Sequence, residues 1–168
     1  NMEVNPNTAY NKIDRTLNTK TAYVQTADGA FGFRLQFSAA DANTLKRYDR
    51  VSLALGGTTL TKEENPVRYT ISNLTAENIL ATETGTIADI AVKKRKITQL
   101  TDDDIYTFVQ LQDVQIGIND GSYTNIHENY KNYSDCTPLT FFDRNGDWIR
   151  MLTNSETPWR RTGSGVPK

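Results

Sequence analysis

Apolar and polar residues alternate with a period of two along Phe31–Phe37, and again through Tyr106–Ile118. In the first segment Phe31, Phe33, Leu35 and Phe37 share one parity; Gly32, Arg34, Gln36 and Ser38 share the other. Successive side chains of a strand point to opposite sides, so this pattern predicts a strand with one buried and one wet face. In the second segment the parity changes: Val109 and Leu111 fall on one row, Val114, Ile116 and Ile118 on the other. A one-residue slip reverses every side chain, which predicts a β-bulge near Gln112–Asp113. The expectation is a sheet closed around inward rows led by Phe33, Val51 and Val109.

Weaker patterns fill in the rest. Residues 1–20 carry Asn, Thr and Pro6 without periodicity and read as an extended N-terminal arm. Thr21–Thr26 suits a strand, and Asp28-Gly29 turns it into the Phe31 strand as a hairpin. Ser38 with Asp41 forms a loose capping box, which predicts two helical turns over Asp41–Tyr48. Arg50–Leu60 reads as one strand with Val51, Leu53 and Leu55 inward, bent by Gly56-Gly57. Glu63–Pro66 is a turn, and strands follow from Tyr69 and over Ala76–Thr84, where the composition also permits a helix. Thr101–Asp104 is a polar turn, and Asn119–Asp135 a long polar loop. Asn145-Gly146 between apolar flanks signals a second tight hairpin, both residues at positive φ.

Composition agrees with an all-β fold. Of 168 residues, 23 are Thr and 15 Asn, residue types that favour strands and turns over helices. The chain is long enough for one domain with a core. The boundaries expected are 1–20 for the arm, 21–135 for a barrel, and 136–168 for a C-terminal hairpin and tail packed on it. The sequence opens on Asn1 and ends Arg-Arg-Thr-Gly-Ser-Gly-Val-Pro-Lys, which reads as a piece cut from something longer. With 19 basic and 20 acidic residues, no global field draws it to nucleic acid or an anionic membrane. One cysteine, Cys136, excludes an intrachain disulfide and a Cys-cluster zinc site, and there is one histidine, His127. No apolar run is long enough to span a membrane as a helix.

Each candidate for chemistry has a structural competitor. Asp143-x-Asn145-x-Asp147 resembles the start of a calcium loop, but Trp148 and Asn154 stand where glycine and glutamate belong. A hairpin turn explains the same residues. Asp102–Asp104 could hold a cation, yet adjacent carboxylates rarely converge on one ion. His127 beside Glu128 lacks a nucleophile motif, and Cys136 lacks the surroundings of a reactive thiol. Lys93–Lys96 with Arg47, Arg50 and Arg68, and with Tyr48 and Tyr69 as stacking rings, could line a groove for a nucleic-acid strand. A solvated edge strand accounts for the same lysines. The set Tyr123, Tyr130, Tyr133, Trp148 and Trp159, interleaved with Asn125, Asn129, Asn132, Arg160 and Arg161, suits sugar binding. Rings stack on the C–H face of a sugar while amides and carboxylates take its hydroxyls; a small second core under the loop is the competing account. The ligand-binding residues expected are Tyr123, Tyr130, Tyr133, Trp148, Trp159 and Arg160, with no catalytic residue, metal or cofactor.

Phe33–Phe37, Leu45–Gly57 and Ile97–Ile116, with Asp143–Asn154 and the Pro158-Trp-Arg-Arg-Thr-Gly run, together resemble an uncharacterised OB-like domain family of Bacteroidetes cell-surface proteins and lipoproteins. The resemblance implies an all-β, Greek-key OB-like barrel with short helical turns and an extra C-terminal hairpin. It also implies an extracytoplasmic location, at the cell surface or in the periplasm, and a non-enzymatic, modular role. OB-like barrels bind oligonucleotides, oligosaccharides or proteins on one surface, so the fold alone does not choose. The partner expected is a polysaccharide or another surface protein. Nucleic acid, as the accessory of a secreted nuclease, and a structural spacer are the alternatives.

Overall fold

The computed structural model describes residues 19–117 and 136–154. Among these the chain is all-β, with no helix of seven residues or more. The strands are β1 (Thr21–Gln25), β2 (Gly32–Phe37), β3 (Arg50–Leu53), β4 (Thr59–Glu63), β5 (Arg68–Leu74), β6 (Ile79–Glu83), β7 (Lys93–Arg95), β8 (Val109–Leu111), β9 (Val114–Ile116), β10 (Cys136–Asp143) and β11 (Trp148–Asn154). They pair as separate sheets, β1-β2-β5-β4, β3-β6, β7-β8 and β11-β10-β9, and these ladders do not close into a barrel. Two compact units result: one with described residues 19–95 and 100–110, the other with 96–99, 111–117 and 136–154.

In the first unit β1 and β2 form the expected hairpin, with Val24 opposite Phe33 and Ala22 opposite Leu35. Asp28 organises its turn by accepting from the Thr26 hydroxyl at 2.6 Å and the Ala30 amide at 3.0 Å, and Gly29 adopts φ +74°. Leu35 and Phe37 are buried and Phe33 packs against the core, but Phe31 is exposed, outside the strand in the loop. The inward row therefore begins at Phe33. β5 then lies parallel to β2, a pairing between segments far apart in sequence.

Its register shifts between Leu35–Ile71 and Phe37–Leu74, so β5 carries one extra residue there, and Asn73 adopts φ +61°. Asn tolerates this left-handed conformation better than a β-branched residue would. The bulge lets Ile71 and Leu74, three apart, both reach the core of Ala22, Leu35, Phe37 and Ala42.

Three expectations fail here for identifiable reasons. Asp41–Tyr48 forms no helix. The Asn43 side chain instead donates to the Thr19 and Thr21 carbonyls, Asp49 accepts from the Lys46 amide at 2.8 Å, and Tyr48 adopts φ +72°. Local side-chain bonds to backbone compete with helix formation in this way. Arg50–Leu60 is two strands, because Gly56-Gly57 forms a turn with Gly57 at φ +79°. β3 pairs with β6 while β4 joins β5, and Leu55, past the end of β3, is exposed rather than inward. The parity change at Gln112–Asp113 marks a break, not a bulge: Asp113 takes φ +57°, and β8 and β9 belong to different sheets.

One turn recurs along the connections. At 46–49, 75–78, 86–89, 96–99 and 101–104, the side chain of the fourth residue accepts from the amide of the first. The fourth amide donates back to the first carbonyl in every case. Each is a self-satisfied turn that ends one element without a long loop.

Candidate functional site

The second unit is built on the β10–β11 hairpin. Asp143 Oδ1 accepts from the amides of Asn145 at 2.8 Å and Asp147 at 3.0 Å, and Gly146 adopts φ +88°. The hairpin forms where expected, with only the glycine at positive φ: a three-residue loop in which Gly146 supplies the left-handed step. The calcium-like run Asp143-x-Asn145-x-Asp147 is this turn, its first carboxylate oxygen engaged by backbone.

Counting outward from the turn pairs Phe142 with Trp148 and Thr140 with Arg150. β9 continues the sheet, placing Gln115 opposite Phe142 and Ile116 opposite Phe141. Alternation then puts Gln115, Phe142, Trp148 and Arg150 on one side, and Val114, Ile116, Phe141 and Ile149 on the other. The second set is half-buried throughout, while the first is exposed, Trp148 to 57% and Phe142 to 39%. Met151, on the Ile149 side, is also exposed. The Arg150 guanidinium carbon sits 5.5 Å from the Trp148 ring centroid, within cation–π range.

Gly117 sets the position of the Phe142 ring. A methyl group there would stand 2.6 Å from Phe142 Cε2, so the ring occupies the space a side chain would fill. Beside it opens a cavity of about 450 Å³ lined by Asp113–Gly117 and Phe142–Arg144. A planar aromatic surface, an amide at Gln115 and guanidinium groups at Arg144 and Arg150 therefore meet on one short sheet.

Of the six expected ligand residues, Trp148 lies on this face; Tyr123, Tyr130, Tyr133, Trp159 and Arg160 lie outside the described residues, as does His127. Cys136 is in β10. Sequence reasoning missed Phe142, Gln115, Arg150 and Gly117. A two-residue turn at Asn145-Gly146 would set Asp143 against Trp148; the three-residue loop that forms instead shifts the register by one and sets Phe142 there.

The basic run is engaged elsewhere. Asp104 is buried in the first unit, with Arg95 Nε 3.2 Å from both its oxygens and Lys93 Nζ 3.4 Å away. Lys93 also donates to the carbonyls of Ala30 and Asp103. Burial by itself would raise the Asp104 pKa; the Thr101 amide, Arg95 and Lys93 outweigh it and hold the carboxyl below its ordinary range. Lys96 pairs with Asp113 at 3.1 Å, Arg68 with Glu63 at 2.7 Å, and Arg47 lies over the Tyr48 ring. Tyr69 is half-buried near Phe33. Lys93, Arg95, Lys96 and Arg68 are thus each tied to a carboxylate.

Among the described residues no three of His, Cys, Asp and Glu converge as metal ligands, and no helix is long and apolar enough to cross a membrane. No protein-family model, curated protein or solved structure matches the chain.

Proposed function

We propose that this chain is a non-catalytic, glycan-binding module of a surface protein, and that the Trp148 face of the β9–β10–β11 sheet is its binding surface. The observation that carries the reading is the exposure of Trp148 beside its cross-strand partner Phe142. Burying two such rings against a ligand removes apolar area from water, while exposed rings on a free surface gain nothing. Gln115, Arg144 and Arg150 supply the directional polar groups that a ring cannot. A non-catalytic role fits two carboxylates held by their neighbours. Asp104 and Asp143 are committed to backbone and ion-pair partners instead of facing a nucleophile or a general base. The proposal keeps the OB-like relationship and the extracytoplasmic location, which rest on the residue resemblance over Phe33–Phe37, Leu45–Gly57 and Ile97–Ile116.

The test is a polysaccharide array probed with the purified chain, followed by tryptophan fluorescence titration of each hit. Trp148→Ala is expected to weaken binding about tenfold, a loss of about 1.4 kcal/mol. A hit whose affinity is unchanged in Trp148→Ala, with the variant still folded, moves the site elsewhere. Tight binding of single-stranded DNA, steeply weakened by salt, with an empty glycan array would replace the reading by the nucleic-acid one.

A further inference from the structure

We infer that the cavity beside Phe142 is a subsite for a neutral sugar unit, and that the ligand is an uncharged glycan lying across the strands from Trp148 into it; this rests on the glycan reading above. The cavity is built wholly from the second unit, by Asp113–Gly117 and Phe142–Arg144. Its volume of about 450 Å³ suits a sugar unit and not a length of polymer. Both parities of β9 contribute, Val114 and Ile116 as well as Gln115 and Gly117, so the cavity reaches round the outer strand of the described sheet.

Charge around this cavity is mixed and balanced. Asp113 and Asp143 bring two carboxylates, Arg144 brings a guanidinium, and the Lys96 ammonium sits 3.1 Å from Asp113. An anionic sugar therefore meets carboxylates and a cationic one meets Arg144 and Lys96, each losing hydration without a surplus of opposite charge to offset it. A hydroxyl suits both kinds of neighbour, because it donates to a carboxylate and accepts from a guanidinium or an amide. Asp143 Oδ1 already accepts the Asn145 and Asp147 amides, which holds that carboxylate in place. Asp113 and Arg144 are exposed, open to a hydroxyl arriving from solvent.

The strand register gives the ligand its direction. Gln115, Phe142 and Trp148 stand opposite one another on three successive strands, a row perpendicular to them with about 4.8 Å between neighbours. Gln115 and Phe142 line the cavity, and the exposed Trp148 lies one strand beyond Phe142. A glycan seated in the cavity is carried along this row over Phe142 to Trp148. One unit is held by bonds to its hydroxyls, and a following one stacks on the indole. A single sugar in the cavity leaves Trp148 bare, so the full site needs more than one unit.

The experiment measures binding of dextran, pullulan, galactomannan and xyloglucan, each against its carboxymethyl and diethylaminoethyl derivatives, which keep the backbone and add one sign of charge. Expected is at least about tenfold tighter binding of a neutral parent than of either derivative, changing less than about twofold between low and high salt. Fragments of that parent should bind more tightly as they lengthen from one unit to a few. Asp113→Asn should narrow the gap to the anionic derivative and Arg144→Gln the gap to the cationic one, with circular dichroism verifying both folds. A merely structural role does not produce such reciprocal shifts, and gaps unmoved in both variants overturn the cavity as the subsite. Derivatives that bind as tightly as the parent or more tightly, or hits confined to charged polymers, overturn the neutral assignment; where Trp148→Ala still abolishes them, the glycan reading stands. Failure of every polymer, neutral and charged, here and on the array, overturns both readings.

Discussion

The Asp104 carboxylate faces the Arg95 side chain with Nε 3.2 Å from each oxygen, and this pair closes the connection between β7 and β8. Its third partner, Lys93, reaches past it to the Ala30 carbonyl at the end of the first hairpin. One buried acid thus joins two neighbouring cations to three stretches of backbone. Removing it takes the carboxylate from both charges, of which Lys93 is largely shielded from water and Arg95 about one-third exposed. Asp104→Ala is expected to cost about 2–3 kcal/mol, toward the lower end for a broken buried pair because Arg95 is partly exposed. Asp104→Asn keeps one oxygen for the Thr101 amide and should cost less. Urea unfolding of the two variants checks the order; equal midpoints for wild type and Asp104→Ala would make the cluster ornamental.

The same acid contributes to a pH dependence whose sign is fixed. Several carboxyls have folded-state pKa values below their ordinary ones. At Asp104 the Thr101 amide and the two cations outweigh the effect of burial. At Glu63 the cause is chiefly Arg68, at Asp89 the Thr86 amide, and at Asp28 the Thr26 hydroxyl. Depressed carboxylates stabilise the fold fully above the unfolded-state pKa values. The contribution is lost as pH falls from there through the folded-state values, because the unfolded chain takes up protons first. Stability is therefore expected to be flat in these groups from neutrality down to about pH 5, then to fall steadily with acid. Asp104→Asn should flatten part of that slope. A urea midpoint that rises on acidification below about pH 4 would contradict the assignment.

Much of this architecture is legible in local sequence, and the failures share a cause. Both hairpins announce themselves, through Asp28-Gly29 and Asn145-Gly146, because a left-handed glycine between alternating strands has few other uses. The parity change at Gln112–Asp113 was also readable, although whether it bends one strand or separates two depends on what each half pairs with. Pairing is the non-local part. Nothing near Phe33 says that β5 lies parallel to β2, and nothing near Gly56-Gly57 says that β3 and β4 join different sheets. Phe31 kept the parity of its neighbours yet fell outside the ladder. At the candidate site, Trp148 was visible as an aromatic in a hairpin, whereas Gly117 gains its role only from the ring laid over it.

The recurring four-residue turn makes a prediction of its own, because Asn and Asp are interchangeable in it only where the fourth side chain does not also donate. Asn78 accepts from the Thr75 amide and hydroxyl through Oδ1, and donates through Nδ2 to the carbonyls of Ala54 and Gly56. The side chain is buried, so an aspartate would face two carbonyl oxygens with a second acceptor. Asn78→Asp is expected to destabilise by about 2–4 kcal/mol through unsatisfied and repelling buried groups. Asp89, exposed and bonded only as an acceptor, should tolerate asparagine at below about 1 kcal/mol. Thermal melts of the two variants decide the matter, and similar melting temperatures would remove the distinction.

Gly32 is buried for a different reason, the close approach of another chain segment. A Cβ there would collide with the Ile105 carbonyl oxygen and with the Tyr106 backbone, where Tyr106 itself takes φ +62°. The obstacle is backbone in a tight turn, which cannot rotate away as a side chain can. Gly32→Ala is expected to cost about 2–3 kcal/mol, near the upper range for overpacking. Hydrogen exchange should show the loss spreading through Asp102–Phe108 as well as β2. A melting temperature equal to wild type would mean the two segments are not packed this closely in solution.

Gly117 offers the contrasting case and bears directly on function. The atoms in its way are the edge of the Phe142 ring, which can swing aside at small cost because it is half exposed to water. Gly117→Ala should leave stability within about 1 kcal/mol of wild type, since no backbone has to move. Its effect should appear in binding. Phe142 would no longer lie across β9, and a surface assembled from Phe142 and Trp148 together loses the alignment of its two rings. A glycan identified on the array should bind Gly117→Ala several-fold more weakly, while Gly146→Ala, in the turn and away from the rings, should change stability more than affinity. That reversal, one glycine governing affinity and the other stability, is the signature expected if the rings act as one platform. Unchanged affinity in Gly117→Ala would mean Trp148 binds alone.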